Sequence, residues 1–361
     1  MRVGLVLGAG GVLGGAWLVG GLHALATETG WDPGSADYLV GTSAGAMIAG
    51  LSASGVPPWF MVAHSAGETP EAEQAAQAEA SRSAGAVFRL HPGVPVLGPG
   101  SWRLALASLA RPYRYSPAAI LAGWMPQGLI SSEPLKQTIR RVAGHGWPPH
   151  RNLWIMACDH DTARRVAFGR DDAPPASLAD AVAASCAIPG FYRPVEIGGH
   201  RYVDGGVAST SNLDELAGMG LDLVICLNPT SSLHAPQPRT LGERAAATLR
   251  QTSGRRLGSE AKRVRASGTE VLLIQPTVQD LDAMGTNLMS GKRRHQVIEV
   301  AVQTVTGRLR EPEVRRRLRD LPQGGSMLVR KPPGSLTGRP DFGQLARGRW
   351  LAAASASCPR L

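Results

Sequence analysis

Gly41-Thr42-Ser43-Ala44-Gly45 lies between a short apolar run, Tyr38-Leu39-Val40, and a run of small residues from Ala44 to Ser54. This pattern predicts a strand, a one-residue turn and a helix, with Ser43 at the turn. A serine so placed is pushed out of the backbone with its hydroxyl exposed. The turn is strained, so its flanking positions must be tiny for strand and helix to pass closely. Gly41 and Gly45 supply that room. Ser43 also falls at a helix N-terminus, where free backbone N–H groups and the helix dipole favour negative charge. That is the setting of an activated nucleophile for acyl transfer. A chain with 44 Gly also produces G-x-S-x-G by chance, so the reading depends on what accompanies it.

Upstream, Arg2-Val3-Gly4-Leu5-Val6-Leu7 reads as a buried parallel strand. It enters Gly8-Ala9-Gly10-Gly11-Val12-Leu13-Gly14, and a helix is expected from about Gly15 to Thr27. Strand, glycine loop and helix is also the dinucleotide-binding pattern, but a G-x-G-x-x-G beginning at Gly8 needs glycine where Leu13 stands. A P-loop would need Gly-Lys-Ser/Thr, which is absent. Two uses remain: a tight turn with packing glycines, or a nest of backbone N–H groups that binds an anion. With Ser43 two elements later, that anion would be the oxyanion of a tetrahedral intermediate.

The 361 residues suffice for one large α/β domain or two small ones, and 43% hydrophobic content supports a substantial core. Net charge is +10, unevenly spread. Residues 1–238 hold 15 Lys and Arg against 18 Asp and Glu; residues 239–361 hold 23 against 10. The basic C-terminal third is expected to form solvated helix faces that also favour an anionic membrane surface; no nucleic-acid partner is expected. The four cysteines (158, 186, 226 and 358) show no C-x-x-C spacing and read as buried free thiols in a reducing compartment. Met1-Arg2 with the apolar stretch up to Ala26 superficially resembles a signal peptide, but five glycines between Gly8 and Gly15 are poor for its helix. A cytoplasmic protein, peripheral at the membrane at most, is expected. No stretch reaches the roughly 18 apolar residues of a membrane span.

Further elements are expected in order. A strand covers 35–40, and a solvent-exposed helix covers Pro70–Arg82. Residues 85–130 read as an irregular, Pro- and Gly-broken segment carrying Trp102, Tyr113, Tyr115 and Trp124. That segment, within an insertion at about 60–130, suits a cap or lid over an apolar site, or equally an ordinary helical insertion. A helix at 132–142, strands at 152–158 and 165–168, and a helix at 178–185 follow. A hairpin over Gly198-Gly199 delivers Asp204-Gly205-Gly206. Then come a helix at 213–219, a strand at 222–228, helices at 239–252 and 256–266, a strand at 270–275, and helices at 291–309 and 311–320. The expected domain spans 1–320, with a basic, Pro- and Gly-rich tail over 321–361.

Ser43 needs a general base. None of the nine histidines is singled out by its setting. His295 follows three basic residues, and His160, between two aspartates, reads as a surface residue. Asp204 sits at the mouth of a strand, and the two following glycines let the backbone turn hard. A carboxylate that hydrogen-bonds the serine directly in a dry site can act as base; Asp-Gly-Gly is also a common hairpin turn.

The three stretches occur together and in order: the loop from Gly8 to Gly14, Gly41-Thr42-Ser43-Ala44-Gly45, and Asp204-Gly205-Gly206. The set, with Ala184-Ser185-Cys186-Ala187-Ile188-Pro189-Gly190 before the third, resembles the patatin-like phospholipase family over roughly residues 3–228. The resemblance implies a three-layer α/β/α sandwich with a central, mostly parallel sheet. It implies hydrolysis of acyl esters of phospholipids or other lipids by a Ser43–Asp204 dyad without histidine. It implies an oxyanion hole around Gly10 and Gly11, to which the N–H of Ala44 is added, and no metal or organic cofactor. The family usually has Arg or Lys where this chain has Leu13, and often Asn-x-Pro where it has Asn212-Leu213-Asp214. Two rivals are an α/β-hydrolase triad of Ser43, Asp204 and His295, and a non-catalytic, membrane-associating protein with a degenerate site.

Overall fold

A computed structural model of the chain describes residues 1–65, 98–232, 240–325 and Val329. Its centre is a sheet whose strands alternate between two apolar faces. β1 (Val3–Leu7), β2 (Tyr38–Thr42), β3 (Leu153–Asp159), β7 (Leu223–Leu227) and β8 (Glu270–Ile274) run parallel in the order β3-β2-β1-β7-β8. Antiparallel strands complete it: β4 (Arg165–Phe168) and β6 (His200–Asp204) each pair with β3, and β5 (Val195–Ile197) pairs with β6.

Strand alternation fixes the layers. Leu5, Leu7, Leu39, Ile155 and Ile225 face one side and pack in one core with α1 (Gly11–Thr29), α2 (Ala44–Ala53) and α7 (Leu178–Ser185). The same core reaches α10 (Arg294–Leu309), α11 (Pro312–Leu318) and Leu321. Val6, Val40, Trp154, Met156 and Cys226 face the other side, against Leu257, Ala261 and Val264 of α8 (Leu241–Ala266). The result is the expected mostly parallel sheet with helices on both sides. Between β2 and β3 the chain forms α3 (Pro58–Ser65), α4 (Trp102–Ala110), α5 (Pro117–Trp124) and α6 (Glu133–Ala143).

Several boundaries differ from the sequence reading. α1 begins at Gly11, not near Gly15, because the glycines are its first turn. A Cβ on Gly10 would meet the Pro229 ring at 2.6 Å, so small residues are needed for packing there. The expected helix at 213–219 is only a 3-10 turn, Leu213–Leu216. The two helices expected at 239–252 and 256–266 are one, running through Gly254. Residues 98–130 hold α4 and α5 rather than irregular chain, each N-capped by a serine: Ser101 accepts from the Leu104 N–H and Ser116 from the Ala119 N–H. α9 (Val278–Met284) was not anticipated; its signal is the capping box of Thr277 and Asp280. The helix expected at 70–82 and the tail beyond 330 lie outside the described residues, as do residues 85–97.

Candidate active site

The strand register assembles the site. Along β3, β2 pairs with residues up to Met156, opposite Thr42, and β6 pairs from Ala157, opposite Asp204. β4 pairs with Ile155 to Cys158 and therefore occupies the other flank of β3. β2 and β6 thus share one flank and meet end to end. The residue after Thr42 is Ser43, so the two termini bring Ser43 and Asp204 together across 160 residues of chain.

Ser43 has φ 55° and ψ −121°, a left-handed backbone that serine seldom adopts. A buried hydrogen-bond bridge and two close glycine approaches hold it there. Its N–H donates to Ser185 Oγ at 2.8 Å, and Ser185 Oγ donates to the Met156 carbonyl at 2.6 Å. A Cβ on Gly45 would lie 2.0 Å from the Leu7 carbonyl oxygen, and one on Gly41 would lie 2.6 Å from Ala46 Cα. Only glycine permits that approach of α2 to β1 and β2. Ser185 stood in the quoted run before Asp204, but nothing in its residue type announced that it supports the elbow.

Asp204 is 6% exposed and Ser43 5%. Burial pushes the Asp204 carboxyl up to about 6; hydrogen bonds from the Ser43 hydroxyl and the Gly206 N–H (2.7 Å) pull the other way without cancelling it. The Asp204 N–H donates to the Ala187 carbonyl at 2.9 Å. Gly205 must be small, since a Cβ there would meet the Met156 carbonyl oxygen at 2.4 Å. The Cys186 thiol also contacts Ser43, and burial pushes it up, away from thiolate chemistry.

Gly10 caps α1 without any side-chain partner, and the first turn carries no acidic residue. Gly11 has φ 61°. Among the described residues, no group of the chain accepts from the N–H of Gly10, Gly11 or Ala44, whereas the neighbouring Gly8 and Ala9 N–H groups are bound to Leu227 and Thr210 carbonyls. A Cβ built on Gly15 lies 3.5 Å from Ala44 Cβ, which places the first turns of α1 and α2 side by side. A Cβ on Gly8 would strike Asn228 Oδ1 at 2.5 Å. Leu13 is buried in the core and offers nothing to a ligand.

The loop after Asp204 is pinned from two sides. Asn212 donates to Thr42 Oγ1 at 3.0 Å and to the Ser209 carbonyl at 2.7 Å. Glu260 of α8, 3% exposed, accepts from Ser209 Oγ, Ser211 Oγ and the Leu213 N–H at 2.6, 2.5 and 3.1 Å. Asp214 is ion-paired with Arg165 and Arg263.

Neither histidine considered above joins this cluster. His295 is solvent-exposed at the start of α10 and faces Glu299 at 3.1 Å. His160, expected on the surface, is buried instead, with Nε2 3.1 Å from the Ala122 carbonyl, because α5 covers it. A cleft of about 790 Å³ lined by Glu28, Leu309 and Arg315 lies at the C-terminal end of α1. It is a helix length, about 28 Å, from the Gly10–Gly11 turn and does not serve Ser43.

In an α/β/α protein, a strained Ser at a strand-to-helix elbow, a buried Asp beside it and a helix N-terminus alongside form an arrangement capable of acyl transfer. The family model described as patatin-like phospholipase matches residues 5–217. The match covers more than half of the chain, which belongs to the patatin-like phospholipase family, a family of lipid acyl hydrolases.

Proposed function

We propose that the protein hydrolyses acyl esters of lipids with Ser43 as nucleophile and Asp204 as its base. The observation that carries this reading is the end-to-end meeting of β2 and β6, which sets a left-handed Ser43 against a buried carboxyl raised to about 6. At neutral pH most of that carboxyl is ionised and able to accept a proton, and its poise suits general-base work.

Asp204 takes the Ser43 proton as Oγ attacks the ester carbonyl. The developing oxyanion is held by the N–H groups of Gly10, Gly11 and Ala44, which have no acceptor among the described residues. The tetrahedral intermediate collapses, the proton passes from Asp204 to the leaving alcohol, and an acyl-Ser43 ester remains. Water, deprotonated by Asp204, attacks that ester, and the proton returns from Asp204 to Ser43 Oγ as the fatty acid leaves. Removing one oxyanion donor costs roughly 3–4 kcal/mol of transition-state stabilisation in comparable sites. The histidine triad has no support from the placement of His295. Leu13 stands where the family usually has Arg or Lys and brings no charge to a phosphate head group, so ester hydrolysis is the core of the proposal and phospholipid one candidate within it.

Fluorophosphonate labelling of wild type, Ser43→Ala and Asp204→Asn tests the reading. Wild type should label and both variants should not. Folded wild type that resists the probe, with and without lipid vesicles, would overturn it.

A further inference from the structure

The α4–α5 hairpin is built with its polarity reversed. Apart from Leu104, the residues that point inward are small: Ala105 and Ser108 on α4, Ala119, Ala122 and Gly123 on α5 are all buried. Large apolar residues point outward: Trp102, Leu106 and Leu109 along one stripe of α4, then Tyr113, Leu121 and Trp124. Among the described residues, ten large apolar side chains are exposed, and seven of them fall between Trp102 and Leu129. Scattered exposed leucines need no explanation, but a contiguous set on one hairpin marks an interaction site.

The face does not project outward because the hairpin is poorly held. Arg201 donates to the Gly100 carbonyl and to Asp161, Ser101 Oγ donates to Asp161 at 2.6 Å, and Ser116 Oγ donates to the Val207 carbonyl at 3.3 Å. Ala119 and Ala122 pack on Val203 and Val207, which flank Asp204-Gly205-Gly206. The hairpin is fastened at both ends of β6, through Arg201 near its start and through Val203 and Val207 beside Asp204, with its apolar side away from the protein.

Charge indicates the occupant. Arg103, Arg111 and Arg114 are exposed on the same hairpin, and no Asp or Glu occurs in the sequence between Glu79 and Glu133. Tryptophan and tyrosine interleaved with arginine and leucine, with no carboxylate, match the interfacial zone of a bilayer with anionic head groups. We propose that the α4–α5 face docks on an anionic membrane and presents the Ser43–Asp204 end of the sheet to lipid. This deepens the reading of the site as a lipid hydrolase. It also places the membrane contact on this hairpin rather than on the basic C-terminal third.

The test is co-sedimentation of Ser43→Ala protein with sucrose-loaded vesicles of phosphatidylcholine alone or with phosphatidylglycerol. In that background three double variants are compared: Leu106→Ser with Leu109→Ser, Arg111→Glu with Arg114→Glu, and Arg315→Glu with Arg316→Glu. Thermal melts confirm that each folds. The parent should bind the mixed vesicles, the leucine pair and the first arginine pair should each lower partitioning at least tenfold, and the C-terminal pair should leave it in place. Binding that survives both hairpin variants, or that is lost only with Arg315 and Arg316, overturns the proposal. So does a parent that ignores vesicles but forms a dimer that the leucine pair dissolves, since a second copy would then be the occupant. Turnover of a soluble short-chain ester by wild type is measured separately; its absence would count against the hydrolase reading and leave the docking result standing.

Discussion

Thr42 and Asp204 pair with consecutive residues of β3, Met156 and Ala157, so the end of one parallel strand abuts the end of an antiparallel one. This single register step delivers a carboxyl directly to the serine that follows Thr42, and in the proposed mechanism that carboxyl is the base. It also buries that base, and burial has consequences that can be measured.

The first concerns pH. If Asp204 is the base, kcat/KM should climb about tenfold per pH unit below pH 6 and level off above it. Stability should run the other way. The carboxyl sits near 6 in the fold against 3.8 for the ordinary group, so the fold holds the proton more tightly than the unfolded chain. Its contribution is therefore fully present below pH about 4 and lost as pH rises through about 6. Asp204→Asn keeps the shape and cannot ionise. It should be inactive yet more stable than wild type at pH 8, by up to about 3 kcal/mol, with the gap closing near pH 4. Urea titrations at the two pH values decide this; an Asn variant less stable than wild type at pH 8 would contradict the assignment.

The second concerns Ser185, whose hydroxyl bridges the Ser43 N–H and the Met156 carbonyl. It is wholly buried, so Ser185→Ala leaves a donor and an acceptor without partners or water. Loss of roughly 2–4 kcal/mol of stability is expected. Because the bridge fixes the elbow and not the substrate, kcat should fall while KM changes little. A variant with wild-type melting and kcat would show that the elbow holds itself.

The elements that sequence disclosed most clearly are those where one residue type has one use. Gly41 and Gly45 announced a close strand–helix approach, and Cβ positions on them do collide with backbone. The alternation of Leu5, Leu7 and Leu39 with Val6 and Val40 gave a sheet covered on both faces. What stayed hidden depends on tertiary placement. Ser185 is one serine among many until the register of β3 sets Met156 beside it. The start of α1 was misplaced because its glycines oppose helix by propensity, and packing against Pro229 and Ala44 outweighs that cost. α4 and α5 were hidden by the surrounding prolines, yet Pro99 and Pro112 lie outside α4, and Pro117 occupies the first turn of α5, where its missing N–H costs nothing.

Glu260 supplies the third prediction, from a helix that no motif connects with catalysis. Its carboxylate accepts from Ser209, Ser211 and the Leu213 N–H, and Arg256 pairs with it at 3.1 Å. The loop it holds begins one turn after Asp204 and returns through Asn212 to Thr42. Glu260 is thus a positioning residue for both partners of the site and touches neither. Glu260→Ala should cost at least about 3 kcal/mol, since hydrogen bonds to a buried carboxylate are each worth about 1.5–3 kcal/mol. It should also lower kcat with little change in KM. Glu260→Gln keeps the shape and two acceptor lone pairs, and the serine hydroxyls can rotate to suit it, so it should recover most of kcat. A purely structural residue would lose stability in the Ala variant while the surviving folded enzyme kept its kcat, and titrating active sites with the fluorophosphonate before measuring kcat separates those outcomes.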